Sequence, residues 1–283
     1  MRILTDKKIE GILKCPVCKA KMTAISDRGS LVCEGQRRHC YDFASSGYVN
    51  LCSPTQSGGG DSKQAVRARS SFLNKDYYEP VAKALAKMCE KHGKPDGVLL
   101  DAGCGEGYYS EFLVDEGFSV IGVDLSKFAV DAASKRLSKK GADKFLFATA
   151  SVFDLPVADR SVDVLTNVFA PCAEEEYKRV LTDNGVLIIA WAGENHLLGL
   201  KQAIYDEARK NDGRADMPVG MDKIDEICVS YKICLKSEEE IKNLFAMTPY
   251  YWRTSAADVE KLNGLCELCT DVDIVISVFR KRP

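Results

Sequence analysis

Residues 98–110 read VLLDAGCGEGYYS, and this stretch decides the fold. Val98–Leu100 is an apolar run of strand length that ends in Asp101. Gly103, Gly105 and Gly107 then alternate over five residues, and Tyr108–Val114 resumes as a helix. A strand, a tight glycine turn and a helix N-terminus form a cradle in which backbone N–H groups point at a ligand. Glycine permits that approach because a Cβ would occupy the space. A dinucleotide fingerprint, G-x-G-x-x-G, needs a glycine at position 108. Tyr108 stands there, so a pyrophosphate fits poorly.

The next strand supplies an acid. Phe118–Val123 (FSVIGV) is a second buried-strand run, ending in Asp124, 17 residues past Gly107. A carboxylate at the end of strand two is placed to accept hydrogen bonds from both hydroxyls of a ribose. Lys127–Leu137 follows as a helix, capped by Asp124 or Ser126. The alternation continues with strands over Lys144–Thr149, Val162–Phe169, Gly185–Trp191 and, last, Asp273–Phe279. Helices are expected over Val81–Lys91 and Leu197–Arg209, and Ser237–Glu240 is a capping box that opens a helix running to about Met247. Alternating strands and helices predict an α/β, doubly wound, mainly parallel sheet with its ligand outside the carboxyl ends of the strands. Asp101–Gly107, D-x-G-x-G-x-G, is similar to the first motif of the class I, Rossmann-like S-adenosylmethionine-dependent methyltransferases, which implies that cofactor.

The chain has 283 residues, 46% hydrophobic and 28% charged, enough for one large globular domain and a small module. No apolar run approaches the ~18 residues of a membrane span, so no membrane partner is expected. The start, MRILTDKKIEG, lacks the apolar core of a signal peptide, which predicts a cytoplasmic protein. The twelve cysteines are then expected to be thiols and metal ligands rather than disulfides. Residues 1–92 carry 16 Lys and Arg against 9 Asp and Glu, whereas residues 93–283 carry 23 against 32. A nucleic acid would be gripped mainly by the N-terminal third.

That third opens with a knuckle, Cys15-Pro-Val-Cys18, followed by Cys33 and then by His39 and Cys40. This is the spacing of a structural zinc site. Cys15, Cys18 and Cys33 are three ligands; the fourth is His39 or Cys40, since neighbours in an extended segment point to opposite faces. A metal would supply folding energy that a module of ~50 residues can barely find in its core. The second C-x-x-C, Cys266–Cys269, has no further His or Cys nearby and reads as core. Ser53–Ser62 (SPTQSGGGDS) is a flexible linker by composition. Lys63, Arg67 and Arg69 then follow with spacing that places them on one side of a helix, a stripe able to track phosphates. The expected division is a zinc module at 1–52, a linker and basic helix at 53–75, and a methyltransferase domain at 76–283.

Beyond the knuckle the chain runs H-x-x-D-x-A-x-x-G-Y-V-N-L from His39 to Leu51. It continues with A-R-x-x-F-L (Ala68–Leu73), Tyr78-x-Pro80, L-D-x-G-C-G-E-G-Y-Y (100–109), Ala170-Pro171-Cys172 and M-T-P-x-x-W-R (247–253). In this order, over nearly the whole chain, it resembles the 23S ribosomal RNA (guanine-N1)-methyltransferases. The five residues between Cys33 and His39 exceed the usual family spacing, but His39 keeps the family offset to Gly47–Leu51, which favours it as the fourth zinc ligand. The resemblance implies methylation of guanine N1 in a hairpin of large-subunit rRNA, a zinc module that recognises the RNA, and a homodimer sharing an RNA cleft. It implies no DNA partner, and some members of the family confer macrolide resistance. Its cofactor-binding positions fall here on Tyr78, Asp101, Gly103, Gly105, Glu106, Asp124, Leu125, Ser151 and His196. Arg28, Arg37 and Arg38 are the zinc-module cations expected at the RNA, and no general base is evident.

Two alternatives stay open. One is methylation of another RNA position, such as cytosine C5 through Cys172; the other is a small-molecule acceptor. Cytosine-C5 enzymes usually read D-A-P-C-S-G, whereas this chain reads F-A-P-C-A-E. Cys172 therefore reads as a wall of the acceptor slot, and Phe169 as a candidate to pack on the base.

Overall fold

The computed structural model of the protein describes residues 6–25, 29–53, 59–213 and 217–282. The N-terminal part comprises α1 (Lys7–Ile12), β1 (Met22–Ile25), β2 (Ser30–Cys33), β3 (Cys40–Asp42) and β4 (Val49–Asn50). Two helices follow, α2 (Lys63–Leu73) and α3 (Glu79–His92). Strands and helices then alternate: β5 (Val98–Ala102), α4 (Tyr108–Asp115), β6 (Ser119–Asp124), α5 (Lys127–Lys139), β7 (Phe145–Thr149), β8 (Val162–Val168), α6 (Glu174–Val180), β9 (Leu181–Ala192) and α7 (Leu198–Ile204). The chain closes with β10 (Met221–Leu235), α8 (Glu238–Ala246), α9 (Ala256–Glu260) and β11 (Leu268–Lys281).

β1, β2 and β3 form a small antiparallel sheet, and the other eight strands form one sheet in the order β10-β11-β9-β8-β5-β6-β7-β4. From β4 to β9 the neighbours are parallel; β11 and β10 add antiparallel. Strand order reverses between β5 and β8, which is where an open α/β sheet leaves a crevice at the carboxyl ends of its strands.

Side chains on successive sheet residues alternate between two cores. Leu99, Val120 and Phe147 face a core shared with α3, α4 and α5, while Leu100, Ile121 and Leu146 face a second one. The zinc-module residues Ile9, Leu13, Met22 and Leu31 belong to that second core, with Tyr177 of α6. Backbone hydrogen bonds stitch the same contact: Lys14 N–H donates to Pro156 O at 2.9 Å and Ala158 N–H to Ile12 O at 2.8 Å. β4 extends the main sheet beside β7, with Val49 opposite Ala148. Burying each such aliphatic side chain contributes ~1.5–3 kcal/mol, so the N-terminal module is welded to the sheet.

Several expectations need correction. The fifth strand begins at Leu181 and the following helix ends at Ile204 rather than Arg209. β10, absent from the sequence pattern, is a long edge strand with charged residues turned outward, the usual protection of a sheet edge. Cys266 and Cys269 are exposed rather than core, and Cys269 is bonded to Cys234. The two sit directly opposite in the β10–β11 register, so this pair is a disulfide and not free thiol. Residues 54–58 of the linker lie outside the described residues, but its end is seated. A Cβ on Gly60 would lie 2.5 Å from Ser126 N, and Ser126 Oγ donates to Asp61 O at 2.7 Å. Lys63 and Arg67 are exposed on α2, whereas Arg69 lies about 120° around the helix from Lys63 and about 160° from Arg67, so the three do not make one stripe. Among the described residues no helix is long and apolar enough to cross a membrane.

Candidate functional site

Four donor atoms of the N-terminal module, on Cys15, Cys18, Cys33 and His39, lie within 4.8 Å of one another. Cys18 Sγ is 3.6 Å from Cys33 Sγ, and His39 Nδ1 is 3.5 Å from Cys15 Sγ and 3.4 Å from Cys33 Sγ. A tetrahedral zinc with Zn–S near 2.3 Å and Zn–N near 2.05 Å has S···S edges of ~3.8 Å and S···N edges of ~3.6 Å. The donors are therefore spaced for that ion, with His39 binding through Nδ1. Cys40 is exposed on β3, its sulfur turned toward Asp42. Burial raises the Cys15 thiol, but Tyr41 and the backbone N–H groups of Cys18 and Val17 bring it down to about 7, favouring the thiolate a metal needs. A Cβ on Gly35 would meet Cys18 Sγ at 2.9 Å, so the knuckle closes over a glycine.

The larger site is a cavity of about 700 Å³ at the carboxyl ends of β5, β6 and β8. That lies within the ~300–1,000 Å³ of small-molecule sites. Gly103 and Gly105 line it. Both are left-handed, φ +82° and +54°, but they differ in their surroundings. A Cβ on Gly103 would strike Ala170 Cβ at 2.4 Å; among the described residues one on Gly105 would meet only Arg69 Nη1, at 3.7 Å, and would project into the cradle. Asp124 caps β6 with Oδ2 accepting from Gly105 N–H at 3.1 Å and Oδ1 from Ser126 N–H at 2.8 Å. A carboxylate has about four acceptor sites, so two more hydrogen bonds can be taken. Burial raises its pKa, and the two N–H groups hold it down in part. Leu125, Ala150 and Val152 make the apolar wall beside it.

Glu106 is 2% exposed. Its Oε2 accepts from Arg136 Nη2 at 2.6 Å, while Oε1 is buried with no partner among the described residues. Such an orphan is costly unless a ligand donates to it. Across the cavity, Tyr78 Oη lies 3.3 Å from His196 Nε2. His196 Nδ1 accepts from Asp273 N–H at 3.3 Å, which puts the ring proton on Nε2, facing Tyr78. Burial, and the nearby Lys201 ammonium, bring His196 down to about 4, so it is neutral at pH 7. These features suit a donor with a ribose, a purine and an amino-acid end: acceptor capacity at Asp124, an apolar slot at Leu125, an unpaired oxygen on Glu106, and backbone open at Gly105.

The structure thus brings Tyr78, Gly103, Gly105, Glu106, Asp124, Leu125 and His196 to one cavity. It places Asp101 and Ser151 elsewhere. Asp101 is buried beneath the loop, accepting from Ser110 Oγ at 2.5 Å and Thr166 Oγ1 at 3.1 Å, and burial pushes it up to about 6. Ser151 Oγ accepts from Phe153 N–H at 3.2 Å and shapes the turn behind the wall. Cys172 is exposed and is not on the cavity wall, correcting its reading as such; partial desolvation and the Glu174 carboxylate push its thiol up to about 11. Asp61 and Lys201 also line the wall, with no signal in the sequence pattern; Trp252 of the M-T-P-x-x-W-R segment lies there too, exposed, and Arg69, expected toward phosphates, faces the cavity, ion-paired with Asp61. Only the A-R-x-x-F-L segment hinted at Arg69.

Two family descriptions match the chain: "Methyltransferase domain" over residues 94–247 and "RlmA, N-terminal", a zinc ribbon, over residues 13–57. A Streptomyces fradiae protein named 23S rRNA (guanine(748)-N(1))-methyltransferase is 32% identical over 204 residues, 70% of this chain and 69% of that one. YxjB of Bacillus subtilis (strain 168), provisionally named a 23S rRNA (guanine-N(1)-)-methyltransferase, is 29% identical over 283 residues, 94% of this chain and 97% of its own. A malonyl-[acyl-carrier protein] O-methyltransferase of Hamiltonella defensa subsp. Acyrthosiphon pisum (strain 5AT) is 28% identical over 148 residues, 48% of this chain and 55% of its own.

Proposed function

Because the chain belongs to the 23S rRNA (guanine-N1)-methyltransferase family, we propose that it transfers a methyl group to N1 of a guanine in a hairpin of large-subunit ribosomal RNA. The protein is an S-adenosylmethionine-dependent methyltransferase with a zinc ribbon. The observation that carries the RNA reading is the reach of the likeness. The match named for 23S rRNA in Bacillus subtilis runs through 94% of the chain, while the acyl-carrier enzyme shares 48%.

S-adenosylmethionine, when bound, supplies a methyl group on a positively charged sulfur, already a strong electrophile. The protein's task is alignment and exclusion of water. Asp124 is assigned to the ribose, Leu125 to the purine, and the backbone of 103–105 with Glu106 to the amino-acid end. Tyr78 and His196 close the far wall. Asp101 and Ser151 act indirectly, holding the glycine loop and the 151–153 turn in place. His196 does not take the guanine N1 proton, because its Nδ1 lone pair is already engaged by Asp273 N–H. The target guanine has to be unpaired or extruded, since its Watson–Crick edge receives the methyl.

RNA contact is assigned to the zinc module of residues 1–52 through Arg37 and Arg38, both exposed; Arg28 lies outside the described residues. The same reading includes a homodimer sharing one RNA cleft and a cytoplasmic setting, both carried by the family resemblance. Labelled S-adenosylmethionine with unmodified 23S rRNA tests the reaction. Label should enter the RNA, and primer extension should stop one nucleotide before a guanine, because an N1 methyl blocks pairing. Label without a stop would contradict the N1 assignment.

A further inference from the structure

Eight large apolar side chains are exposed among the described residues, and three of them, Phe153, Phe169 and Trp252, line the cavity. Exposed apolar surface gathered at one mouth marks a binding face. Phe169 has the most constrained setting. Its backbone is left-handed, φ +54°, a conformation that a residue with a Cβ adopts at a cost and keeps only where its surroundings fix it. They do. Phe169 N–H donates to Ala190 O at 3.2 Å. Asn167 Nδ2 and Tyr177 Oη each donate to Pro171 O at 3.0 Å, and Ala170 abuts Gly103.

The ring so presented ends a chain of ring contacts in which only the last pair is parallel. Phe72 meets Tyr78 edge-on at 5.4 Å, Tyr78 lies 6.1 Å from His196, and His196 stacks on Phe169 at 5.9 Å with 13° between planes. The first three rings are buried, and the last keeps 48% of its surface exposed in the cavity. Phe169 follows β8, whereas Asp124 and Leu125 follow β6, with β5 between them in the sheet. The ring therefore stands at the other end of the cavity from the ribose carboxylate.

We propose that Phe169 is the platform on which the acceptor base stacks, a positioning role that rests on the RNA-methylation reading above. The guanine lies face to face on the exposed part of the Phe169 ring while its edge meets the methyl donor. Any base has a π-face, so this contact orients the acceptor without naming it.

The variants Phe169→Tyr, Phe169→Leu and Phe169→Ala separate stacking from bulk. Label transfer to 23S rRNA gives kcat/KM, and calorimetry with S-adenosylhomocysteine gives cofactor-site affinity. Phe169→Tyr should stay within about threefold of wild type, while Phe169→Leu and Phe169→Ala lose about 10- to 100-fold in kcat/KM with analogue affinity within about twofold. Leucine serving as well as phenylalanine would overturn the proposal, as would analogue affinity falling in step with turnover. A wild-type product other than 1-methylguanosine contradicts the N1 reading instead. The ranking of tyrosine over leucine tests stacking whichever atom is methylated.

Discussion

Alanine at position 105 is expected to leave the protein folded and loosen its hold on the cofactor. Gly105 and Gly103 share a left-handed backbone, and a Cβ there costs ~1–2 kcal/mol in either case. The neighbours then distinguish them. At 105 the new methyl meets Arg69 Nη1 at 3.7 Å, ordinary contact, and otherwise projects into the cradle. At 103 it overlaps Ala170 Cβ at 2.4 Å, and such overpacking adds ~1–3 kcal/mol. At ~2–4 °C per kcal/mol, Gly105→Ala should lower Tm by ~2–8 °C and Gly103→Ala by clearly more. In the cradle, the same methyl blocks the backbone approach, and losing one or two hydrogen bonds with some steric conflict weakens binding ~10- to 100-fold. Thermal unfolding and calorimetry with S-adenosylhomocysteine measure both quantities on both variants. The reasoning is refuted if Gly105→Ala binds the analogue as tightly as wild type, or if it loses as much Tm as Gly103→Ala.

Three other outcomes are expected. Cys18→Ser should lose most of the zinc, measured by atomic absorption, and should also weaken the main fold, because the module shares the core behind β5, β6 and β7; a full metal content would rule out this ligand set. Asp124→Ala should weaken S-adenosylhomocysteine binding by at least ~10-fold while zinc stays in place, since it removes a charged acceptor and frees the Gly105 N–H; unchanged affinity would refute the ribose assignment. His196 should give an acid-sensitive term. It is held near 4 when folded and returns to its ordinary 6.5 on unfolding, so the unfolded chain binds the extra proton and stability falls as pH drops from 6.5 to 4, by up to ~3 kcal/mol. Asp101, raised to about 6, works the other way, gaining stability as pH falls through 6. Comparing wild type with His196→Asn isolates the histidine: between pH 7 and 4.5 in denaturant titrations wild type should lose more, and equal losses would contradict the burial argument.

What could be read from the chain was what is written locally. The glycine loop, the acid that ends the second strand and the cysteine knuckle each occupy a short span with fixed offsets, and each lies where the spacing implies. His39 was separable from Cys40 only through the offset to Gly47–Leu51, and the geometry agrees, with Nδ1 3.4 Å from Cys33 Sγ. Non-local features were hidden. β10 gathers its charges at Asp222–Glu226 and then alternates half-buried Ile227, Val229 and Tyr231 with exposed Cys228, Ser230 and Lys232, which suits an edge strand yet resembles a solvated segment. The Cys234–Cys269 bond depends on a strand register that spacing alone does not specify. Asp101 ends the first strand and looks like a ligand contact, but Ser110 and Thr166 occupy its oxygens below the loop. Arg69 has the composition of a phosphate contact, and only the turn of α2 sends it into the cavity beside Asp61. The docking of the zinc module on β7 follows from Val49 reaching across about a hundred residues of chain to Ala148.

Nucleoside analysis of 23S rRNA after reaction with the purified protein and S-adenosylmethionine tests the central claim most directly. Digestion and chromatography should show new 1-methylguanosine in stoichiometric amount, with no gain in other methylated nucleosides. New 5-methylcytidine or a ribose-methylated nucleoside in its place would contradict methylation at guanine N1.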